Sequence, residues 1–183
     1  MAEARLARTG VAAIVAGALL FVAQAGELVF ESPEELFAAI GGLGIAALAV
    51  AVWGLRPVAS GRAGRIGWRT MAVGAIFLGL FAIQMVITVA VTGEVTGTFI
   101  LFALGFLLLF VGHLVIAPGL RPTLGRLWVL PLVAAAGIVV AVTVPWDPIH
   151  DGGLFVFEGA WVAFGIGLVR SVEPAPKRVA VSL

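Results

Sequence analysis

The sequence has no cysteine, no tyrosine, no asparagine and a single lysine, Lys177. Without cysteine there are no disulfides, no thiolate metal sites, no CxxC redox chemistry and no c-type haem attachment. Without asparagine there is no N-glycosylation acceptor. No apolar run contains lysine, so a retinal-type Schiff base is excluded. Charge is scarce as well. Asp, Glu, Lys and Arg make up 11% of the 183 residues, against roughly 25% in a soluble domain. With 62% hydrophobic residues and a mean hydropathy of +1.17, the chain cannot cover a water-facing surface. Lipid must solvate most of it. Catalytic signatures are missing too: there is no GxSxG, HExxH, P-loop or dinucleotide fingerprint. No basic-aromatic patch points to nucleic acid, and no cofactor is expected.

What the sequence does have is six apolar runs, at about 9–30, 34–55, 67–92, 97–118, 127–145 and 152–170. Each is near the ~20 residues that cross ~30 Å of hydrocarbon. Open backbone is costly in lipid and the runs do not alternate in polarity, so helices are predicted and a β-barrel is not. The expected fold is an all-α integral membrane protein: one domain over 1–183, six transmembrane helices in an up-down bundle, and a short tail at 171–183. The start resembles a signal peptide, with basic "MAEARLARTG", apolar "VAAIVAGALLFV" and "AQA" at 23–25. Five further spans need this one to balance the topology, so it is expected to stay as the first helix.

Charge placement predicts the orientation. Arg5, Arg8, Arg56, Arg62, Arg65, Arg69, Arg121, Arg126, Arg170, Lys177 and Arg178 all fall in the N-terminus, the 2–3 loop, the 4–5 loop or the tail. Those four segments share one side of a six-span protein. The positive-inside rule makes that side cytoplasmic, with both termini there. Glu27, Glu31, Glu34, Glu35, Glu94, Asp147 and Asp151 fall on the other side. Trp53, Trp68 and Trp128 sit at the predicted inner interface and Trp146 at the outer one, while Trp161 is deeper. Arginine outnumbers lysine ten to one, and alanine, glycine and valine are abundant. That bias fits a GC-rich bacterial genome, and the expected location is the bacterial inner membrane.

Local signals mark helix ends. Ser32, Pro33 and Glu35 form a capping box for the second helix. "APGLRP" at 117–122 is read as the stop of the fourth helix, and Asp151 as a cap for the sixth. "WGLRPVASGR" (53–62) and "APGLRPTLGR" (117–126) look alike. They suggest three tandem helix hairpins, or two independent solutions to stopping a helix at a cytoplasmic anchor.

Inside the bilayer, helices associate through small residues. Gly159, Ala163 and Gly167, and likewise Ala38, Gly42 and Ala46, are spaced four apart and are expected to pack within the chain. Ala13, Gly17, Leu20, Gln24, Glu27 and Glu31 share one stripe of the first helix, whose outer end is polar. The third helix offers Gln84, Thr88 and Thr92. The sixth offers Asp151 and, ~10 Å deeper, Glu158.

A buried ionised carboxylate is costly and tends to be neutral, paired or wet. Glu158 is therefore expected in the interior, either as a proton- or cation-binding group or as a hydrogen-bonded packing element. Gln24, Glu27, Gln84 and Thr88 are its candidate companions. Asp147, His150 and Asp151 form a weaker candidate metal site, since imidazole and carboxylate suit divalent cations, although acids in that loop also serve topology alone. His113 reads as a hydrogen-bonding residue near the inner interface.

Three functions compete. A partner or scaffold subunit comes first, one that binds membrane lipids and forms a homo-oligomer or docks on another membrane protein. A transporter or channel for a proton, cation or cationic solute, using an outward vestibule around Glu158, is the alternative. An intramembrane enzyme or lipid-binding protein pairing Glu158 with His150 comes last, for want of candidate residues. A cavity reaching Glu158 would favour transport; a fully packed interior would favour the scaffold.

Overall fold

Lipid offers backbone N–H and C=O groups no partners, and this chain satisfies them within helices. The computed structural model describes residues 2–30, 34–92, 99–143 and 147–172, which contain no strand. The helices are α1 (Ala2–Val29), α2 (Glu34–Gly54), α3 (Gly61–Thr92), α4 (Phe99–Leu124), α5 (Val129–Thr143) and α6 (Asp147–Ser171), with a 3₁₀ turn at Gly125–Trp128 between α4 and α5. Among the described residues, five helical stretches are long and apolar enough to cross a membrane: Glu3–Val29, Leu36–Gly54, Gly61–Thr92, Ile100–Thr143 and Asp151–Ser171. The fourth contains α4, the 3₁₀ turn and α5. Alone, the 15 residues of α5 reach about 22 Å, short of a ~30 Å core.

The helices form a closed ring in which each packs on the next and α6 returns to α1. Close approaches fix their directions. Gly26 meets Phe37 while Gly54 meets Thr9, so α2 runs against α1; Gly10 meets Gly165 while Gly17 meets Glu158, so α6 also runs against α1. Gly67 meets Ile116 while Gly105 meets Leu78, which makes α3 and α4 antiparallel. Gly137 meets Phe157 while Gly167 meets Leu127, which does the same for α5 and α6. Trp68 Nε1 donates to the Val52 carbonyl at 2.8 Å, and Gly42 lies beside Ala82, which sets α3 against α2. It follows that α4 and α5 point opposite ways. The reversal lies at Gly125, whose φ of +54° is open to glycine and strained for a side chain.

This arrangement collects the described basic residues at one end: Arg5 and Arg8 begin α1, Arg62, Arg65 and Arg69 begin α3, and Arg170 closes α6. Arg56 lies 5.5 Å from the Trp68 ring and Arg121 5.8 Å from the Trp128 ring, both within cation–π range. Glu27 and the starts of α2 and α6 mark the opposite, acidic end. The outer surface is apolar: Leu43, Ile83, Ile100 and Val142 are all exposed. Water would not tolerate so broad a patch, so the protein is membrane-embedded.

Several sequence expectations change. "APGLRP" does not stop a helix: α4 passes through Pro118 and Pro122 to Leu124. Membrane helices tolerate internal proline when neighbours supply the lost bonds. Beside the two prolines, the Gly119 carbonyl accepts the Ser60 hydroxyl at 2.6 Å and the Ser60 N–H at 3.2 Å, tying α4 to the α2–α3 connection. The first "GLRP" leaves α2 in a turn over 55–58, whereas the second lies inside α4. The two copies thus share letters but not conformation. Asp151 does not cap α6, which starts four residues earlier. Gly159 and Ala163 face outward, while Gly167 does pack within the chain, on Leu127; the other close contacts of α6 are Gly153 on α5 and Gly165 on α1. On α2 the close approaches are Gly44 to Leu20 and Gly54 to Thr9. The proposed cap at Ser32 and Pro33, together with Glu31, Glu94, Trp146 and the tail from 173 on, lies outside the described residues.

The backbone contacts carry a test. A Cβ on Gly67 would overlap the Ile116 backbone, whereas one on Gly79 meets nothing within 4 Å. Gly67→Ala is expected to lower unfolding stability in mild detergent by about 1–3 kcal/mol, the usual cost of overpacking. Gly79→Ala should leave it unchanged or raise it by up to about 1 kcal/mol.

Candidate functional site: a hollow in the acidic half

Packing is uneven along the bundle. Large side chains fill its basic half: Leu48, Leu55, Met71, Leu109, Ile116, Leu120 and Leu168 are each at most 1% exposed. The acidic half instead holds a partly open cavity of about 560 Å³ lined by α1, α2, α3, α4 and α6. On α2 it extends from Phe37 to Leu48, about 16 Å of helix axis. Small residues open the space, since Ala38, Gly41 and Gly42 line one wall. Exposed Glu27 stands at the mouth, and Leu48, Leu78, Phe106 and Phe157 form the inner end.

Glu158 sits at that inner end, 5% exposed. Gly17 lets α1 approach until it touches the Glu158 backbone carbonyl, which places the carboxylate on the cavity side of the α1–α6 contact. One carboxylate oxygen, Oε2, is buried without a hydrogen-bond partner. A polar atom left that way costs about 1–3 kcal/mol, more if charged. Nearer the mouth, Gln24 Nε2 donates to Asp151 Oδ1 at 2.8 Å, tying α1 to α6 across the acidic end.

The helix 1 stripe thus places Leu20, Gln24 and Glu27 on the cavity, with Ala13 and Gly17 against neighbours. Gln84 and Thr88 do not line it. Their faces of α3 lie beside the lining positions Phe81, Ala82 and Met85, and the Thr88 hydroxyl donates to the Gln84 carbonyl at 2.8 Å. Among the described residues no group of three or more His, Asp or Glu could hold a metal. The Asp147 and His150 side chains lie outside the described residues, and the Asp151 carboxylate is engaged by Gln24.

Sequence reasoning passed over the aromatic wall. Phe81 and Phe102 have ring centroids 5.2 Å apart, Phe102 and Phe106 4.7 Å, and Phe106 and Phe157 6.0 Å. The ladder continues inward through His113 and Trp161, 5.5 Å apart, to Phe164. The four-residue step from Phe102 to Phe106 was the available signal, but in so apolar a chain it is indistinguishable from ordinary core. His113 is 1% exposed, inside the bundle. Its Nδ1 lies 2.6 Å from the Leu109 carbonyl, which requires the proton on that nitrogen. His113 Nε2 and Trp161 Nε1 are buried without partners, beside a void of about 10 Å³.

Comparison with protein-family models, characterised proteins and solved structures finds no match. The fold defines a helical membrane protein with a partly open cavity in its acidic half.

The Gln24–Asp151 bond predicts a measurable clasp. Gln24→Leu is expected to lower unfolding stability by about 0.5–1.5 kcal/mol, the net worth of such a bond at a partly exposed site. A melt superimposable on the wild type would show that the bond contributes nothing.

Proposed function

We propose that the protein is a small carrier for a proton and a cationic solute, with Glu158 as the group both occupy. Two observations carry this reading: Glu158 lines a cavity of about 560 Å³, and its Oε2 is buried without a hydrogen-bond partner. A carboxyl group in apolar surroundings is stable when neutral or when paired with a cation. Protonation and cation binding are then alternatives at one atom, which is the elementary requirement for exchange. We place the chain in a bacterial inner membrane as six spans with the arginine-rich end cytoplasmic, on the positive-inside asymmetry. The α4–α5 reversal supports the sixth span, and on this orientation the cavity mouth faces outward.

The enzymatic alternative pairs Glu158 with His150. Both positions lie on α6, eight residues and about 12 Å of rise apart, which counts against an acid–base pair.

The carrier reading is tested in liposomes loaded with a pH-sensitive dye and exposed in turn to alkali, divalent and organic cations. Wild-type protein is expected to move protons in response to at least one class. Glu158→Gln, with an unchanged thermal melt, should reduce that movement at least tenfold. Equal proton movement in both proteins would remove Glu158 from the mechanism.

A second reading, a homo-oligomer or membrane-protein partner, is favoured by the outward stripe of α6. Gly159 there has nothing within 4 Å of a Cβ position, and Ala163 is exposed, a small-xxx-small spacing suited to close helix contact. If this stripe is an interface, Gly159→Leu should convert a cross-linkable oligomer in detergent to monomer. An unchanged cross-linking pattern would dismiss it.

A further inference from the structure

The geometry points to an amphipathic organic cation, with a bulky apolar body and one positive charge carrying few hydrogen-bond donors, as the ligand of this cavity. The inference rests on the reading of Glu158 as a cation-binding carboxylate and chooses among the cations that reading allows.

Size is the first discriminator. Pockets for organic ligands run roughly 300–1,000 Å³, and this one is about 560 Å³. A desolvated metal ion would fill a small fraction of that space and leave the rest apolar and empty. Ligand count is the second. Calcium takes six to eight oxygen ligands and magnesium demands an octahedral set. The polar lining here is Gln24, Glu27 and Glu158. Of these, Glu27 is at the mouth, and Gln24 can offer one amide oxygen, its nitrogen being bonded to Asp151. One buried carboxylate and one amide oxygen are too few to replace a hydration shell.

The wall supplies the third discriminator. Phe81, Phe102, Phe106 and Phe157 form one continuous run of ring contacts, and Phe37 lines the cavity from α2. Aromatic faces attract cations by about 0.5–2 kcal/mol, most strongly when desolvated. They attract bulky apolar cations without requiring hydrogen bonds. Both charged lining residues, Glu27 and Glu158, are acidic and none is basic, which disfavours anions such as fatty acids. Three of the nineteen lining residues are polar, so a sugar or a zwitterion would lose more hydration than the wall returns. A charged head on Glu158 with an apolar body among the phenylalanines uses every feature of the site.

The test uses full-length protein in mild detergent and tetraphenylphosphonium as the probe, with triphenylphosphine oxide as its neutral counterpart. The phosphonium is expected to bind wild type at least tenfold more tightly than the neutral compound does. Glu158→Gln should weaken phosphonium binding at least tenfold, and Phe106→Leu about three- to tenfold. Sodium and manganese at millimolar concentration should not displace it. A measurement on unaltered protein guards against misfolded variants: dicyclohexylcarbodiimide, which reacts with carboxyl groups in apolar sites, should label Glu158, and the phosphonium should block that labelling. Equal binding of the neutral compound, or no effect of Phe106→Leu, would overturn the organic-cation assignment. Displacement by sodium or manganese would overturn it while leaving the carboxylate reading intact. Phosphonium binding that ignores Glu158→Gln, together with unprotected labelling, would overturn both.

Discussion

Helices inside lipid gain little from hiding apolar surface, because the surroundings are as apolar as the side chains. What holds this bundle is backbone brought against backbone. Gly10 against Gly165, Gly17 against the Glu158 carbonyl, Gly74 against Gly105, and Gly137 against Gly153 are contacts in which a single methyl group would collide with the neighbouring chain. They bring α1 to α6, α3 to α4, and α5 to α6 at distances where dispersion forces act over whole helix faces. Everything else, including the position of Glu158, follows from those approaches.

The same device explains why the interior is full at one end and hollow at the other. Where close glycine contacts meet large opposing side chains, the space closes: Gly67 and Gly112 pack on Ile116 and Met71 in the basic half. Toward the acidic end, Gly41 and Gly42 of α2 meet only Ala23 and Ala82 in ordinary contact, so small residues face small residues. The cavity is what that mismatch leaves. Its aromatic inner end is stiff because each ring rests on the next, from Phe81 through Phe157 to Trp161.

Helical class, apolar exterior and the sorting of arginine from carboxylate were legible in the sequence because each depends on composition along the chain. The polar stripe of α1 was legible too, since helical period alone groups Leu20, Gln24 and Glu27 on one face. Rotation was harder. Gly159 and Ala163 are as small as Gly153 and Gly165, and only the partner helices, α5 at Gly153 and α1 at Gly165, decide which positions turn inward. Gln84 and Thr88 were assigned to the interior by the same period argument, but α3 is rotated so that Phe81 and Met85 take those places. The prolines of α4 misled because a proline stop is a habit of helices in water, whereas in lipid leaving the helix exposes more backbone than one missing N–H does.

The contrast between a dense half and a hollow half has a mechanical corollary. Lateral pressure in a bilayer compresses what is compressible, and in this bundle that is the open chamber, not the interlocked leucines and rings below it. Of the two halves, the chamber is the one whose walls have room to move inward.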